Sequence, residues 1–303
     1  MYNLNTQYQN LLKNILNEGE INNNILSLVG TQISYEVTEG LPISTTKTSI
    51  QTSTAIAILQ QVVTELKWAL KGDITIKYLI DNNCNSWNDI AYEFYKKNYK
   101  LLQEDYSRLK IEDIDLYKSI FKDKILLSKE EYIKSIKTND LINEDFNFSD
   151  IWGNLGPIYS RQLKNQLILL SNFLKNPSLK SNSHIVNFYN VEDVPYMAST
   201  PRHYSFQCCV INNKLNLIWN QSDINANSEI FTNLSLYGLL LLLLCKEFNL
   251  EPGKVVGSFG NIYLNNSEIE EVKNNLDKKL FDFLKIKLDN VDIKEGKFNY
   301  TLM

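Results

Sequence analysis

Cysteine and histidine are the side chains best suited to nucleophilic or metal chemistry near neutral pH, and this chain uses few of either. The cysteines are Cys84, Cys208, Cys209 and Cys245, and the histidines are His184 and His203. None of them has the spacing of a metal-ligand set, so no metal centre is expected. Cys208 and Cys209 are adjacent in a segment, YSFQCCVI, that reads as a strand, so their thiols point to opposite faces. Reduced thiols in a cytoplasmic protein are the simplest reading. Phosphate chemistry lacks its usual loops, since neither GxGxxG nor GxxxxGK[ST] occurs. The only arginines are Arg108, Arg161 and Arg202.

These residues must be positioned by a chain of 303 residues, 44% hydrophobic, which is enough for one large core or two small ones. A net charge of -4 gives no electrostatic footprint for nucleic acid. The N-terminal MYNLNTQYQNLLKNIL has no basic region leading into an apolar stretch, so no signal peptide is expected. The longest apolar run, Leu239 to Cys245, is far short of a bilayer span and reads as a buried core helix, so no membrane partner is expected.

Leu11, Leu12, Ile15 and Leu16 share one helical face within residues 7–17, and Gly19 follows as a stop. Residues 25–37 are β-branched and aromatic around Gly30, which predicts a strand with a kink or bulge. Ile56, Leu59, Val63, Leu66 and Leu70 predict a helix over 53–71. Residues 90–140 are rich in Lys, Glu, Asp and Tyr without Pro or Gly, and read as helical. A further amphipathic helix is predicted over 161–175, strands over 184–190, 204–211 and 214–221, and a tight turn at Asn212-Asn213. A helix from about Glu229 to Phe248, a strand over 254–263 and a helix over 267–285 complete the pattern. This order predicts an α+β fold, a mainly antiparallel sheet covered by helices. It is one domain over 1–303 with a helical insertion at about 92–150.

Several segments, in order, resemble thymidylate synthase: YQNLLKNILNEG, SLVGTQISYEV with GLPISTTK, ELKWALKGDITIKYL with NNCNSWNDIA, NLGPIYSRQL, YMASTPRHYSFQCCV, and FTNLSLYGLLLLLL with LEPGKVVGSFGNIYL. They cover most of 7–91 and 152–275. The resemblance implies the thymidylate synthase fold, a homodimer formed sheet to sheet, a small-molecule substrate and methylene-tetrahydrofolate as cosubstrate. Apolar side chains expected on the outer faces of the strands, among them Ile33, Val186, Phe188 and Trp219, support the dimer.

The family methylates a uracil nucleotide at C5 after a cysteine thiolate, set in a Pro-Cys-His triplet, adds to C6. Here the triplet is Pro201-Arg202-His203, and a guanidinium cannot be that nucleophile. The family's phosphate arginines are also replaced. Its Arg-Thr-Gly loop is shortened to Glu20-Ile21-Asn22-Asn23, its paired arginines fall at Ser181-Asn182-Ser183-His184, and its Gln-Arg-Ser segment appears as Asn220-Gln221-Ser222-Asp223. The sugar-binding Gly-Asp-x-His-x-Tyr run becomes Gly260-Asn261-Ile262-Tyr263-Leu264-Asn265. Such a pocket is not built for a nucleoside 5'-phosphate in the family's pose.

Other positions match. By resemblance, Glu65 and Tyr159 match catalytic positions of the family and, with Arg202 in the nucleophile's place, form the expected catalytic set. Gln207 and Asn233 match substrate-binding positions, and Arg202 and Tyr263, which replace family residues, are expected to contact the substrate beside them. Trp87 lines the folate pocket, and Asp223, or equally Asn225, holds the pterin. Each has a structural alternative: a solvated helix residue for Glu65, core or interface aromatics for Trp87 and Tyr159, a helix N-terminal residue for Asn233, and an ion-pair residue for Arg202. Two functions follow. One is a folate-dependent one-carbon transferase acting without a cysteine nucleophile on an electron-rich substrate other than dUMP, whose carboxylate Arg202 would bind. The other is a catalytically inactive homologue that binds or assembles.

Overall fold

The computed structural model of the chain describes residues 3–44, 52–105, 126–138, 153–176, 183–278 and 281–303. Contacts divide the chain into two compact units. The first comprises Met1–Gly72, Tyr159–Asn190 and Pro201–Met303, and the second Asp73–Ile158 and Val191–Thr200. Residues 45–47 of the family-like turn lie outside the described residues, as do 106–125 and 139–150 of the insertion expected at 92–150.

The first unit opens with helix α1, Leu4–Glu18, whose first turn is closed by the Asn3 side chain accepting from Thr6 N at 2.9 Å. Strand β1, Glu20–Asn22, turns through Asn23 and Asn24, both at positive φ, into β2, Ile25–Glu36. Gly30 takes φ +72° in the middle of β2, yet the pairing with the neighbouring strand keeps one register on either side of it. The expected irregularity is therefore a kink without a slip. Strand β3, Leu41–Ser44, and helix α2, Thr52–Lys71, follow.

The second unit contributes α3, Lys77–Asp81, α4, Asn88–Asp105, and α5, Lys129–Thr138. Its core is aromatic. Tyr95 stacks on Tyr132 with centroids 4.6 Å apart, and the Tyr132 hydroxyl accepts from Gly153 N at 3.0 Å. Gly156 has φ +72°, and a Cβ there would meet Tyr196 O at 2.0 Å, so the Leu155-Gly156-Pro157 run needs its glycine for close backbone approach.

Back in the first unit, α6 spans Tyr159–Lys175, β4 Ser183–Asn187, β5 His203–Ile211 and β6 Lys214–Asn225. Asn212 and Asn213, at φ 51° and 62°, form the tight turn the sequence predicts, because both tolerate the left-handed region. Helix α7, Ile230–Phe248, leads to β7, Glu251–Asn265. The sheet order is β1-β2-β7-β6-β5-β4, antiparallel except for β6 against β7. Parallel neighbours need a crossover, and α7 supplies it, lying over one sheet face with most of its leucines buried. It is the one helix among the described residues long and apolar enough by composition to cross a membrane, and 67% of that window is buried in the protein. Gly238 lets it approach β2, since a Cβ there would lie 2.1 Å from the Tyr35 hydroxyl.

Two expectations change. The helix predicted over 267–285 is only α8, Ile269–Asn275, after a short 3-10 turn. Phe281–Leu284 is instead strand β8, paired with β3, because Phe281 and Phe283 alternate with period two and Phe281 is fully buried. A hairpin of β9, Ile286–Asp292, and β10, Lys297–Leu302, ends the chain. The apolar residues expected on the outer sheet face also belong elsewhere. Ile33, Val186, Phe188 and Trp219 are 1%, 0%, 3% and 0% exposed and form the core. The cross-strand row on the far face is Ile185, Gln207, Ile218, Val256 and Ser34. Strand periodicity identifies two faces but does not say which one a helix will cover.

Candidate functional site

Arg202 emerges just ahead of β5, where its carbonyl accepts from Ser222 N at 2.8 Å and ties the segment to β6. Its guanidinium is enclosed by acceptors. Nε donates to Asp223 Oδ1 at 2.7 Å, and Nη1 and Nη2 donate to Glu229 Oε1 and Oε2 at 2.9 and 2.8 Å. Nη2 also donates to the Asp223 carbonyl at 3.0 Å. Burial works against the guanidinium's charge, but the Glu229 carboxylate, with Asp223 behind it, overcomes this and raises its pKa further. Arg202 is therefore paired within the chain, in a half-buried ion-pair cluster. The expectation that it waits for an acidic ligand is corrected by the fork-to-fork fit of Glu229, which occupies the face such a carboxylate would need.

Glu229 is held in place from its own loop. It stands at the N-terminal boundary of α7 but does not cap it. Its Oε2 accepts from Asn225 N at 3.0 Å as well as from Arg202. The Asn225 side-chain oxygen Oδ1 accepts from Asn227 N and Ser228 N at 2.8 and 2.9 Å, shaping the turn, and its side-chain Nδ2 donates to Glu268 Oε2 at 2.7 Å. Glu268 also accepts from Asn265 N at 2.8 Å and from Asn227 Nδ2 at 3.3 Å. Both candidates for the pterin contact are already engaged: Asp223 accepts from Arg202 on one carboxylate oxygen and from Ser222 Oγ on the other at 2.7 Å, and Asn225 is buried with its side chain bonded within the turn. Holding a pterin in the way the resemblance implies would require one of them to share or give up these bonds.

A second strand of the network fixes Asn233. Gln221 is fully buried on β6, and its amide donates to the Asp223 carbonyl at 2.8 Å, the same oxygen that Arg202 uses. Its carbonyl accepts from Trp219 Nε1 and from Asn233 Nδ2, both at 3.2 Å. Indole nitrogen can only donate, so the Gln221 orientation is forced and the Asn233 amide nitrogen must face it. Asn233 thus presents its carbonyl oxygen and its second N–H away from Gln221.

Nearby, His203 Nδ1 lies 3.0 Å from the Tyr237 hydroxyl, and Tyr237 stacks on Trp219 at 4.9 Å. Burial first, and then the Arg202 charge, lower the His203 pKa to about 4, so the imidazole is neutral at neutral pH. Tyr159, the first residue of α6, donates its hydroxyl to Glu65 Oε1 on α2 at 2.9 Å and packs edge-on against Trp68 at 5.5 Å. The Glu65 charge also bears on Tyr237, whose pKa is raised mainly by burial. Tyr263 lies within the fields of Glu229, Arg202, Asp223 and Glu268, and burial with those carboxylates raises its pKa.

The structure thus brings Arg202, Asp223 and Asn233 into one hydrogen-bonded network through Gln221, with Tyr263 within its electrostatic field and the Glu65 charge felt at Tyr237. Gln207 is not part of it. It sits on the far face of β5, opposite Ile185 and Ile218, beside Cys209. A register irregularity between His203 and Ser205 separates it from the Arg202 end of the strand. Trp87 lies in the second unit, directly before α4, where its carbonyl accepts from Ala91 N at 2.9 Å. Cys208, Cys209 and Cys245 are poor nucleophiles. Cys208 is buried and its pKa is raised, burial pushes Cys245 up to about 12, and Cys209 is raised as well. Among the described residues no cluster of His, Cys, Asp or Glu could hold a metal ion. Sequence reasoning missed Glu229, Tyr237 and Glu268. Only the position of Glu229 at a helix start carries any local signal.

A mostly antiparallel sheet crossed once by a buried helix, with a polar network at the β6–α7 turn, defines an α+β protein. The Thymidylate synthase family profile matches residues 6–302. The chain is 30% identical to the thymidylate synthase of Mycoplasma mobile over 301 residues, 94% of this chain and 91% of that one. It is 31% identical to the enzyme of Listeria monocytogenes serotype 4a over 290 residues, 90% and 86% of the two chains. It is 28% identical to that of Mesoplasma florum over 298 residues, 94% and 89%. The chain belongs to the thymidylate synthase family, whose members are methyltransferases that use methylene-tetrahydrofolate.

Proposed function

We propose that this protein does not methylate dUMP through a cysteine adduct and instead acts as a binding protein on the thymidylate synthase fold, taking a small heterocyclic ligand at the Asn233 end of the network. One observation carries this reading: the guanidinium that stands at the nucleophile's position is held by Asp223 and Glu229. A nucleophile needs an unshared electron pair and a route to the substrate, and Arg202 has neither. Asn233, fixed by Gln221, presents an acceptor and a donor side by side, which complements a lactam edge such as that of a pyrimidine. A homodimer in the cytoplasm is the form we expect, in keeping with the family.

A second reading rests on the Tyr159–Glu65 hydrogen bond, a pair able to pass a proton near a reacting carbon. It is a one-carbon transferase that dispenses with the cysteine. Incubating the purified protein with dUMP and methylene-tetrahydrofolate, and titrating it with 2'-deoxyuridine by calorimetry, tests the binding reading. Our reading expects binding of the nucleoside without dTMP formation. Turnover of dUMP at ordinary enzymatic rates would overturn it.

A further inference from the structure

Tyr263 feels the charges of one guanidinium and three carboxylates, Arg202 against Glu229, Asp223 and Glu268. Four of the five N–H bonds that a guanidinium carries already go to acceptors within this chain. Both Glu229 oxygens meet Arg202 in the bidentate geometry that a phosphate or a carboxylate ligand would otherwise use. Glu229 is itself anchored by Asn225 N, so displacing its carboxylate would also cost that hydrogen bond at the turn into α7. An incoming anion would compete with two resident carboxylates and meet a net negative field.

We infer that this site excludes anions and that its ligand is an unphosphorylated, uncharged heterocycle, such as a nucleoside or free base, in place of a nucleotide. The inference rests on the binding reading above and adds the charge class of the ligand. Asn233 reads the heterocycle edge, and the Arg202–Glu229–Asp223 cluster selects against a phosphate. The cluster shares the Asp223 carbonyl with Gln221, so edge reader and charge filter belong to one hydrogen-bonded unit.

Arginine side-chain NMR tests this on the full-length protein, because with Arg108, Arg161 and Arg202 as the only arginines the Arg202 Nε–H signal can be assigned by its loss in Arg202→Lys. The signal is followed during titration with inorganic phosphate, dUMP and 2'-deoxyuridine at constant ionic strength. The inference expects no saturable shift from phosphate or dUMP and at least a ten-fold weaker affinity for dUMP than for 2'-deoxyuridine. In Glu229→Gln, which frees one Arg202 N–H and removes one negative charge, the dUMP penalty should shrink by several-fold. A saturable Arg202 shift with dUMP, or dUMP binding tighter than the nucleoside, overturns anion exclusion while leaving the binding reading intact. Absence of nucleoside binding with an Arg202 signal indifferent to phosphate overturns the binding reading and supports the exclusion of anions.

Discussion

Arg202 and Glu229 face each other fork to fork, Nη1 on Oε1 at 2.9 Å and Nη2 on Oε2 at 2.8 Å. Glu229 belongs to the boundary of α7 and Arg202 to the approach to β5, so the pair clamps the crossover helix to the sheet. All three charged side chains of the cluster retain about a third of their exposure, at 39% for Arg202, 38% for Asp223 and 32% for Glu229. Solvent screening therefore reduces what the cluster contributes relative to a fully buried one.

Arg202→Ala should destabilise the unliganded protein by about 1–3 kcal/mol, because it leaves Asp223 and Glu229 facing each other without a counter-ion. Denaturant unfolding measures it. A double-mutant cycle with Glu229→Ala should give a coupling of about 1 kcal/mol or more, since the two side chains share two bonds. Additive losses would mean the fork is not maintained in solution.

Arg202→Cys should not create dTMP-forming activity. The new thiol would stand beside Asp223 and Glu229, and nearby carboxylates raise a thiol's pKa and oppose the thiolate. Formation of dTMP by this single variant, followed with labelled dUMP, would refute the account given of the cluster.

His203 should make the fold acid-sensitive. Its folded pKa of about 4 lies below its ordinary value of 6.5, so the unfolded chain binds the proton more readily. Stability from this residue is complete above pH 6.5 and is lost as pH falls towards 4. The loss is on the order of 2 kcal/mol, reduced by the partial exposure of the ring. Unfolding curves at pH 7, 5.5 and 4.5 measure it, and His203→Asn should flatten that part of the dependence.

Tyr159→Phe removes one hydrogen bond to the Glu65 carboxylate and keeps the ring packed on Trp68. A stability loss of about 1 kcal/mol is expected. If the transferase reading holds instead, this variant should lower turnover by about 100-fold while leaving ligand affinity nearly unchanged, since a proton-transfer group acts in the reaction more than in binding.

Static light scattering at micromolar concentration should give the mass of a homodimer. The face expected to pair carries Ile185, Ile218 and Val256 among polar neighbours. Charging its centre with Ile218→Asp should yield monomers, whereas a wild-type monomer would remove the dimer from the description.

The sequence by itself determined the elements and their order where a local rule decides them. Two asparagines at 212 and 213 make one kind of turn, an unbroken leucine run makes a buried helix, and alternating β-branched residues make strands. It also identified the motif positions, because these depend on residue type and order alone. Tertiary structure decided which strand face became core, moving Ile33, Val186, Phe188 and Trp219 inward and Gln207 to the far side. It turned residues 281–284 into a strand, since β3 offered a partner that no local periodicity announces. Above all it decided the fate of Arg202. Its counter-ion stands 27 residues along the chain on another element, and charge pairing depends on distance through space, which composition and spacing do not encode.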